Sequence, residues 1–227
     1  MAESPSSSVC ASGGGGAAGR FIVLDGVEGC GKTTQAALLA RRLREGGADV
    51  VTVRDPGTTR IGERIRQILL DPVHEEMSMR CEMLLYMAAR AQMMAEVIVP
   101  ALAAGRVVVC DRFLSSTLAY QLGGDGLTAE EIRRTGAVAI GNRWPDLTII
   151  LDMPVERAFG RMPRLWDRIE RRPAEYHERV RRNYLAQARE CPEGYRVVDA
   201  DRPVEEVAEE IWRIVAQTLH VTGERGG

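Results

Sequence analysis

The run Gly26-Val27-Glu28-Gly29-Cys30-Gly31-Lys32-Thr33 has the pattern G-x-x-x-x-G-K-S/T, and residues of these types at this spacing are suited to holding phosphates. Glycines let successive backbone amides turn inward around phosphate oxygens, and a helix that follows aims its positive N-terminus at them. Lys32 would reach the outer phosphates of a nucleoside triphosphate, and the Thr33 hydroxyl would ligate Mg²⁺. Cys30 reads as a tolerated small residue of the loop more than a catalytic thiol, although the electropositive nest favours its thiolate. Two further groups could act on anions. Arg54-Asp55-Pro56-Gly57-Thr58 puts an arginine before a Pro-Gly turn, where a planar cation is presented to a ligand; a surface ion pair is the plainer alternative. Asp111-Arg112-Phe113 offers a carboxylate for Mg²⁺ and a guanidinium for phosphate, or a purely structural Asp-Arg pair. Two such arginines beside a phosphate loop favour a second phosphate site. The N-K-x-D of a guanine-specific switch is missing, since Leu151-Asp152 runs into Met153-Pro154.

These residues need a frame that brings them together. Arg20 opens a short apolar run, FIVLD, that fits a strand buried on both faces. Similar runs lie at residues 49–53, 106–110, 147–151 and 195–198. Stretches of helical period alternate with them: Thr33 to Arg44, Met77 to Leu102 as one long helix, Thr128 to Ala139 behind a Thr-x-x-Glu capping box, and Val204 to Leu219. Alternating strands and helices predict a parallel five-stranded sheet covered on both faces, with ligands at the carboxyl ends of the strands. The phosphate loop, Arg54 and Asp111-Arg112 all fall at such ends.

Across 227 residues, 30 Lys and Arg against 32 Asp and Glu leave a net charge of −2, with 45% hydrophobic and 27% charged residues. This reads as an ordinary globular chain, long enough for a sizeable core. The near-neutral balance argues against a dedicated nucleic-acid binder. No apolar run approaches the roughly 18 residues of a membrane span. Residues 1–19, rich in Ser, Gly and Ala, read as a disordered tail with the features of neither a signal peptide nor an anchor. Cys10, Cys30, Cys81, Cys110 and Cys191 show no metal spacing, as expected of reduced thiols in a cytoplasmic protein. Without internal repeats or interior linkers, residues 20–219 are expected to form one domain, with 220–227 a flexible end.

The motifs also have a family look. DGVEGCGKTTQ from Asp25 to Gln35, RDPG from Arg54 to Gly57, EMLLYMAARAQ from Glu82 to Gln92 and DRFLSSTLAYQ from Asp111 to Gln121 occur in the order seen in thymidylate kinases. RWPDLT from Arg143, DRIE from Asp167 and VDA from Val198 continue the match. The chain resembles that family across residues 20–219. The resemblance implies the P-loop three-layer α/β fold with a short Arg-rich lid at about 161–173. It implies transfer of the γ-phosphoryl group of ATP to dTMP with Mg²⁺, giving dTDP for dTTP synthesis, and a homodimer. On it, Gly26, Val27, Glu28, Gly29, Cys30, Gly31, Lys32, Thr33 and Thr34 hold ATP, while Thr33 and Asp111 hold the metal. Arg54 and Arg112 clamp the dTMP phosphate, and Glu28 meets the sugar 3′-hydroxyl above Tyr120. Tyr86 stacks on thymine, Arg90 hydrogen-bonds it, and Thr117 and Gln121 add polar contacts. Without the resemblance, Tyr86 and Arg90 belong to a stripe with Met77, Met79, Met83, Met87, Met93 and Met94 that reads as core or subunit interface.

Catalysis is expected to use Lys32, Arg112 and a lid arginine. Gly29 stands where some members of the family carry an arginine, so the transition-state cation falls to the lid, to Arg164 or Arg161; Arg168 is expected to pair with Asp167 or Glu170. The lid is one or two residues shorter than usual, and Thr58 stands in place of a second glycine after Pro-Gly. Leu122 and Asp125 replace a Gly and an Arg close to the presumed base-binding loop. A P-loop kinase for another nucleoside monophosphate, or a nucleotide-binding regulator without turnover, is the alternative.

Overall fold

Each apolar run becomes a strand: β1 (Arg20–Gly26), β2 (Val50–Arg54), β3 (Val107–Asp111), β4 (Leu147–Asp152) and β5 (Tyr195–Asp199). The computed structural model describes residues 19–162 and 167–219. Its strands form one parallel sheet in the order β2-β3-β1-β4-β5. Successive side chains of a strand face opposite sides, and here both sides are covered. Ile22 and Leu24 pack with Val107 and Val109 in one layer, Phe21 and Val23 with Val108 and Cys110 in the other. Burial on both faces is why the central strands β1, β3 and β4 are almost wholly apolar, whereas the edge strands β2 and β5 keep exposed residues.

The helices among the described residues are α1 (Lys32–Glu45), α2 (Arg60–Leu70), α3 (Met79–Met93), α4 (Val99–Ala103), α5 (Leu114–Tyr120), α6 (Ala129–Ile140), α7 (Val155–Phe159), α8 (Ala174–Glu190) and α9 (Val204–Leu219). Leu39 and Leu43 of α1 and Ile211 and Val215 of α9 close the first layer. Met83, Met87, Leu114 and Ile132, from α3, α5 and α6, close the second. The long helix expected over 77–102 is interrupted by a π turn at Met94–Ile98. It precedes Pro100, which has no amide to donate back into the helix and whose ring crowds the preceding turn. The capping box is present: Thr128 Oγ1 accepts from the Glu131 amide at 3.2 Å and Glu131 Oε2 from the Thr128 amide at 2.8 Å. Gly19, counted with the tail on composition, is buried, and its amide donates to Leu102 O at 3.0 Å.

Because all strands run one way, their carboxyl ends share an edge. Leu24, just before the phosphate loop, and Arg54 are both in register with Asp111. Residues 30 to 87 positions apart in the chain thereby come to one edge.

Candidate active site

A cavity of about 610 Å³ lies along that edge, with the phosphate loop at one end and α3 at the other. The loop turns on Gly29 and Gly31, whose φ values of +74° and +97° suit glycine. A Cβ at Gly29 would stand 2.2 Å from Ala158 O, so an arginine there would require α7 to move. Lys32 is buried and its Nζ donates to Val27 O at 2.6 Å. Thr34 lines the cavity, while the Val27 and Cys30 side chains turn into the core. Burial raises the Cys30 pKa despite the nearby Lys32 and Arg112, which fits a small residue of the loop and not a catalytic thiol.

Thr33 Oγ1 donates to Asp111 Oδ2 at 2.6 Å, so two oxygen donors stand side by side where the triphosphate would lie. Hard oxygen donors suit Mg²⁺, which is ordinarily held by one or two protein oxygens together with phosphates and water. Among the described residues no group of three or more His, Cys, Asp or Glu could hold a metal unaided.

Arg112 follows β3 with a φ of +70°, a strained geometry that surrounding bonds must hold in place. Its amide donates to Leu24 O at 3.0 Å and its side chain to Gly26 O at 3.1 Å and Glu28 Oε1 at 3.1 Å. Glu28 Oε2 accepts from the Tyr120 hydroxyl at 2.6 Å. Burial alone would raise the Glu28 pKa; Arg112, His177, Lys32 and Tyr120 outweigh it and bring it down to about 2. Beneath them Asp25, fully buried, accepts from Ser115 at 2.6 Å, Ser116 at 2.7 Å and Tyr184 at 2.6 Å. Sequence reasoning did not single out this support.

Arg54 borders the cavity half-exposed, paired with Glu63 Oε1 at 3.1 Å. Thr58 adopts the left-handed geometry with φ +68°. Its hydroxyl accepts from the Arg54 amide at 2.8 Å and donates to Arg54 O at 3.1 Å, two bonds a second glycine could not supply. Arg66 of α2 also lines the cavity, and burial and the nearby Arg54 lower its pKa. It was missed because α2 is rich in arginines, and only the fold shows which of them turns inward.

At the far end Tyr86 and Arg90 line the cavity together. Arg90 is fully buried; its Nε donates to Asp55 Oδ2 at 2.6 Å and its Nη2 to Phe113 O and Thr117 Oγ1, each at 3.1 Å. The stripe therefore divides: Met83, Met87, Met93 and Met94 are core, whereas Tyr86 and Arg90 face the cavity. Gln121 also lines it, with Nε2 donating to Glu82 Oε1 at 2.7 Å. Leu122 and Asp125 do not line it: Leu122 packs against the second layer, and Asp125 Oδ2 accepts from the Arg80 amide at 3.2 Å. Neither departure contributes a side chain to the cavity wall.

Arg161 lines the cavity and pairs with Asp201 at 3.2 Å; Arg164 lies outside the described residues. Arg168 pairs with Glu82 and not with Asp167 or Glu170, because its side chain points toward α3. Arg172 joins it on Glu82 at 2.7 Å. Arg168 and Arg172 are thus both anchored on one buried carboxylate.

One cavity with a triphosphate loop at one end and a cationic, aromatic-walled half at the other, at the carboxyl edge of a parallel sheet, puts the fold in the P-loop class of nucleotide-binding α/β proteins. The family model described as Thymidylate kinase matches residues 24–211. A thymidylate kinase of Pelotomaculum thermopropionicum is 50% identical over 187 residues, covering 81% of this chain and 87% of that protein. One of Ectopseudomonas mendocina is 48% identical over 204 residues, 88% of this chain and 97% of the other. One of Desulforudis audaxviator is 46% identical over 211 residues, 92% and 96%. The chain belongs to the thymidylate kinase family. No helix among the described residues is long and apolar enough to cross a membrane.

Proposed function

We infer that this chain transfers the γ-phosphoryl group of ATP to the phosphate of dTMP, giving dTDP. The observation that carries this reading is that Lys32 and Thr33, Tyr86 and Arg90, and Arg112 all line one cavity. ATP lies with its phosphates on the amides of residues 26–34 and on Lys32. The dTMP phosphate sits between Arg54, Arg66 and Arg112, its sugar on Tyr120 and its base against Tyr86. Glu28, with a pKa of about 2, stays ionised and accepts a hydrogen bond from the 3′-hydroxyl. Arg90, Thr117 and Gln121 read the edge of the base. Thr33 and Asp111 would hold Mg²⁺, which supplies charge neutralisation between the β- and γ-phosphates.

Phosphoryl transfer needs alignment and cations more than a strong base, and this set provides both. Arg161 or Arg164 brings transition-state charge from the lid, whose closure keeps water from taking the phosphoryl group. A regulator without turnover would not need Lys32, Thr33, Asp111 and three acceptor-side arginines around one cavity. The exposed Ile61, Ile68, Leu84 and Val99 on α2, α3 and α4 support a homodimer through that face, and thiols unpaired at Cys30, Cys81 and Cys110 fit a cytoplasmic enzyme.

The test is phosphoryl transfer from labelled ATP with Mg²⁺ to dTMP, dUMP, dCMP, dGMP, AMP and thymidine, ranked by kcat/KM. A maximum at dTMP is expected. Turnover with thymidine alone would remove the assignment of the arginines to an acceptor phosphate.

A further inference from the structure

Glu82 of α3 is fully buried, and no step of the proposed transfer uses it. Its Oε1 accepts from Gln121 Nε2 at 2.7 Å; its Oε2 accepts from Arg172 at 2.7 Å and from Arg168. Arg168 is fixed in turn: its Nε donates to Leu69 O at 2.8 Å and its amide to Leu70 O at 3.1 Å. Arg172 lies over the Tyr176 ring at 4.6 Å, and the Tyr176 hydroxyl donates to Tyr120 O at 3.0 Å. One buried carboxylate thereby joins the lid's anchored end to the residue beside the base.

A carboxylate can only accept hydrogen bonds. The Gln121 amide must therefore turn its NH₂ toward Glu82, which leaves its carbonyl oxygen as the group offered to the cavity that Gln121 lines. The two ends of a glutamine amide are alike in size and opposite in hydrogen bonding, so without the carboxylate the amide could turn over. An acceptor oxygen here pairs with the N3–H of thymine or uracil. It opposes N3 of cytosine, which carries a lone pair. Two charge-assisted bonds from Arg168 and Arg172 hold the carboxylate in place.

We propose that Glu82 is a positioning residue for acceptor choice. It fixes the polarity of the Gln121 amide, so that the pocket takes a pyrimidine monophosphate with an N3–H and refuses its amino counterpart. It also ties that polarity to the seating of Arg168 and Arg172. The inference rests on the dTMP reading above and names the residue that sets its base selectivity.

The test compares wild type, Glu82→Gln, Gln121→Met and the double variant by the ratio of kcat/KM for dTMP over dCMP, with thermal unfolding recorded for each. Glutamine at 82 can donate as well as accept, so Gln121 is freed to turn. The ratio is expected to fall about tenfold or more, as when one buried hydrogen bond changes from match to mismatch. In the Gln121→Met background the same change is expected to leave the ratio unmoved, because Glu82 acts through Gln121. An unaltered ratio in Glu82→Gln overturns the proposal, and so does an equal loss in both backgrounds, the mark of a merely structural carboxylate. Where Glu82→Gln does not fold, Glu82→Asp keeps the charge for both arginines while withdrawing from Gln121. A wild-type ratio in that variant overturns the proposal equally. A wild type that turns over neither nucleotide removes the dTMP reading and this inference together; a wild type that prefers dTMP, with Glu82 variants whose ratio is unaltered, removes the inference alone.

Discussion

Replacing Glu28 with Gln keeps the shape of the side chain but removes the charge that faces Arg112 at 3.1 Å. Glutamine stands in for the protonated carboxyl, so the pKa measures what the charge contributes. The drop from an ordinary 4.5 to about 2, at about 1.4 kcal/mol per tenfold change in equilibrium, makes about 3 kcal/mol of stability at neutral pH. Folding depresses this pKa, so the contribution is complete above the unfolded value of 4.5 and is lost as the pH falls toward the folded value of about 2. Half of it is gone by about pH 3.2. Urea unfolding followed by circular dichroism, on wild type and Glu28→Gln at neutral pH and in stepwise acid, reads the gap directly. The expected gap is about 3 kcal/mol at neutrality, narrowing in acid. The variant should also raise KM for dTMP, since a neutral amide is a weaker acceptor for the 3′-hydroxyl. A stability gap that stays constant with pH, or widens in acid, would refute the idea that a depressed Glu28 carboxylate holds this corner of the site.

Gly29→Ala meets both the left-handed φ and the Ala158 carbonyl at 2.2 Å; a loss of about 2 kcal/mol or more, with weaker ATP binding, is expected from thermal unfolding and nucleotide titration, and wild-type stability would contradict it. Arg54→Ala should raise KM for dTMP about tenfold or more and leave that for ATP largely intact, while the exposed pair with Glu63 limits the stability change to about 1 kcal/mol; equal losses for both substrates would remove Arg54 from the acceptor phosphate. Of Arg161→Ala and Arg164→Ala, one should lower kcat by about 10³ with little change in KM for dTMP. If both retain wild-type kcat, the transition-state cation comes from elsewhere.

Features that depend on neighbours in the chain could be read from residue order. The G-x-x-x-x-G-K-T loop works through consecutive amides, the Thr128–Glu131 box through one helical turn, and the three central strands through apolar runs made necessary by burial on both faces. The sheet and the positions of Lys32, Arg54, Asp111 and Arg112 at its edge follow from these local signals. The long helix over 77–102 was legible as a helix but not in its π turn, because periodicity averages over one displaced turn.

Other features are contacts that exist only once the chain has folded. Glu82 and Arg168 are 86 residues apart, and Arg112 and Glu28 are 84 apart; nothing in the local pattern marks either pair. Arg168 beside Asp167 and Glu170 invites a local ion pair, yet the backbone sends its side chain toward α3, where a buried carboxylate without a cation would be far more costly than an exposed one. The methionine stripe is likewise ambiguous as text, since one helix can turn methionines to a core and Tyr86 with Arg90 to a cavity. Arg60, Arg64 and Arg66 look equivalent in the sequence, and only packing against α3 and the turn at Pro56 makes Arg66 a lining residue. Residue order carries the chemistry that a turn or a strand end can present; assembly of the layers chooses which charges are buried, and a buried charge must find its partner wherever the fold has put it.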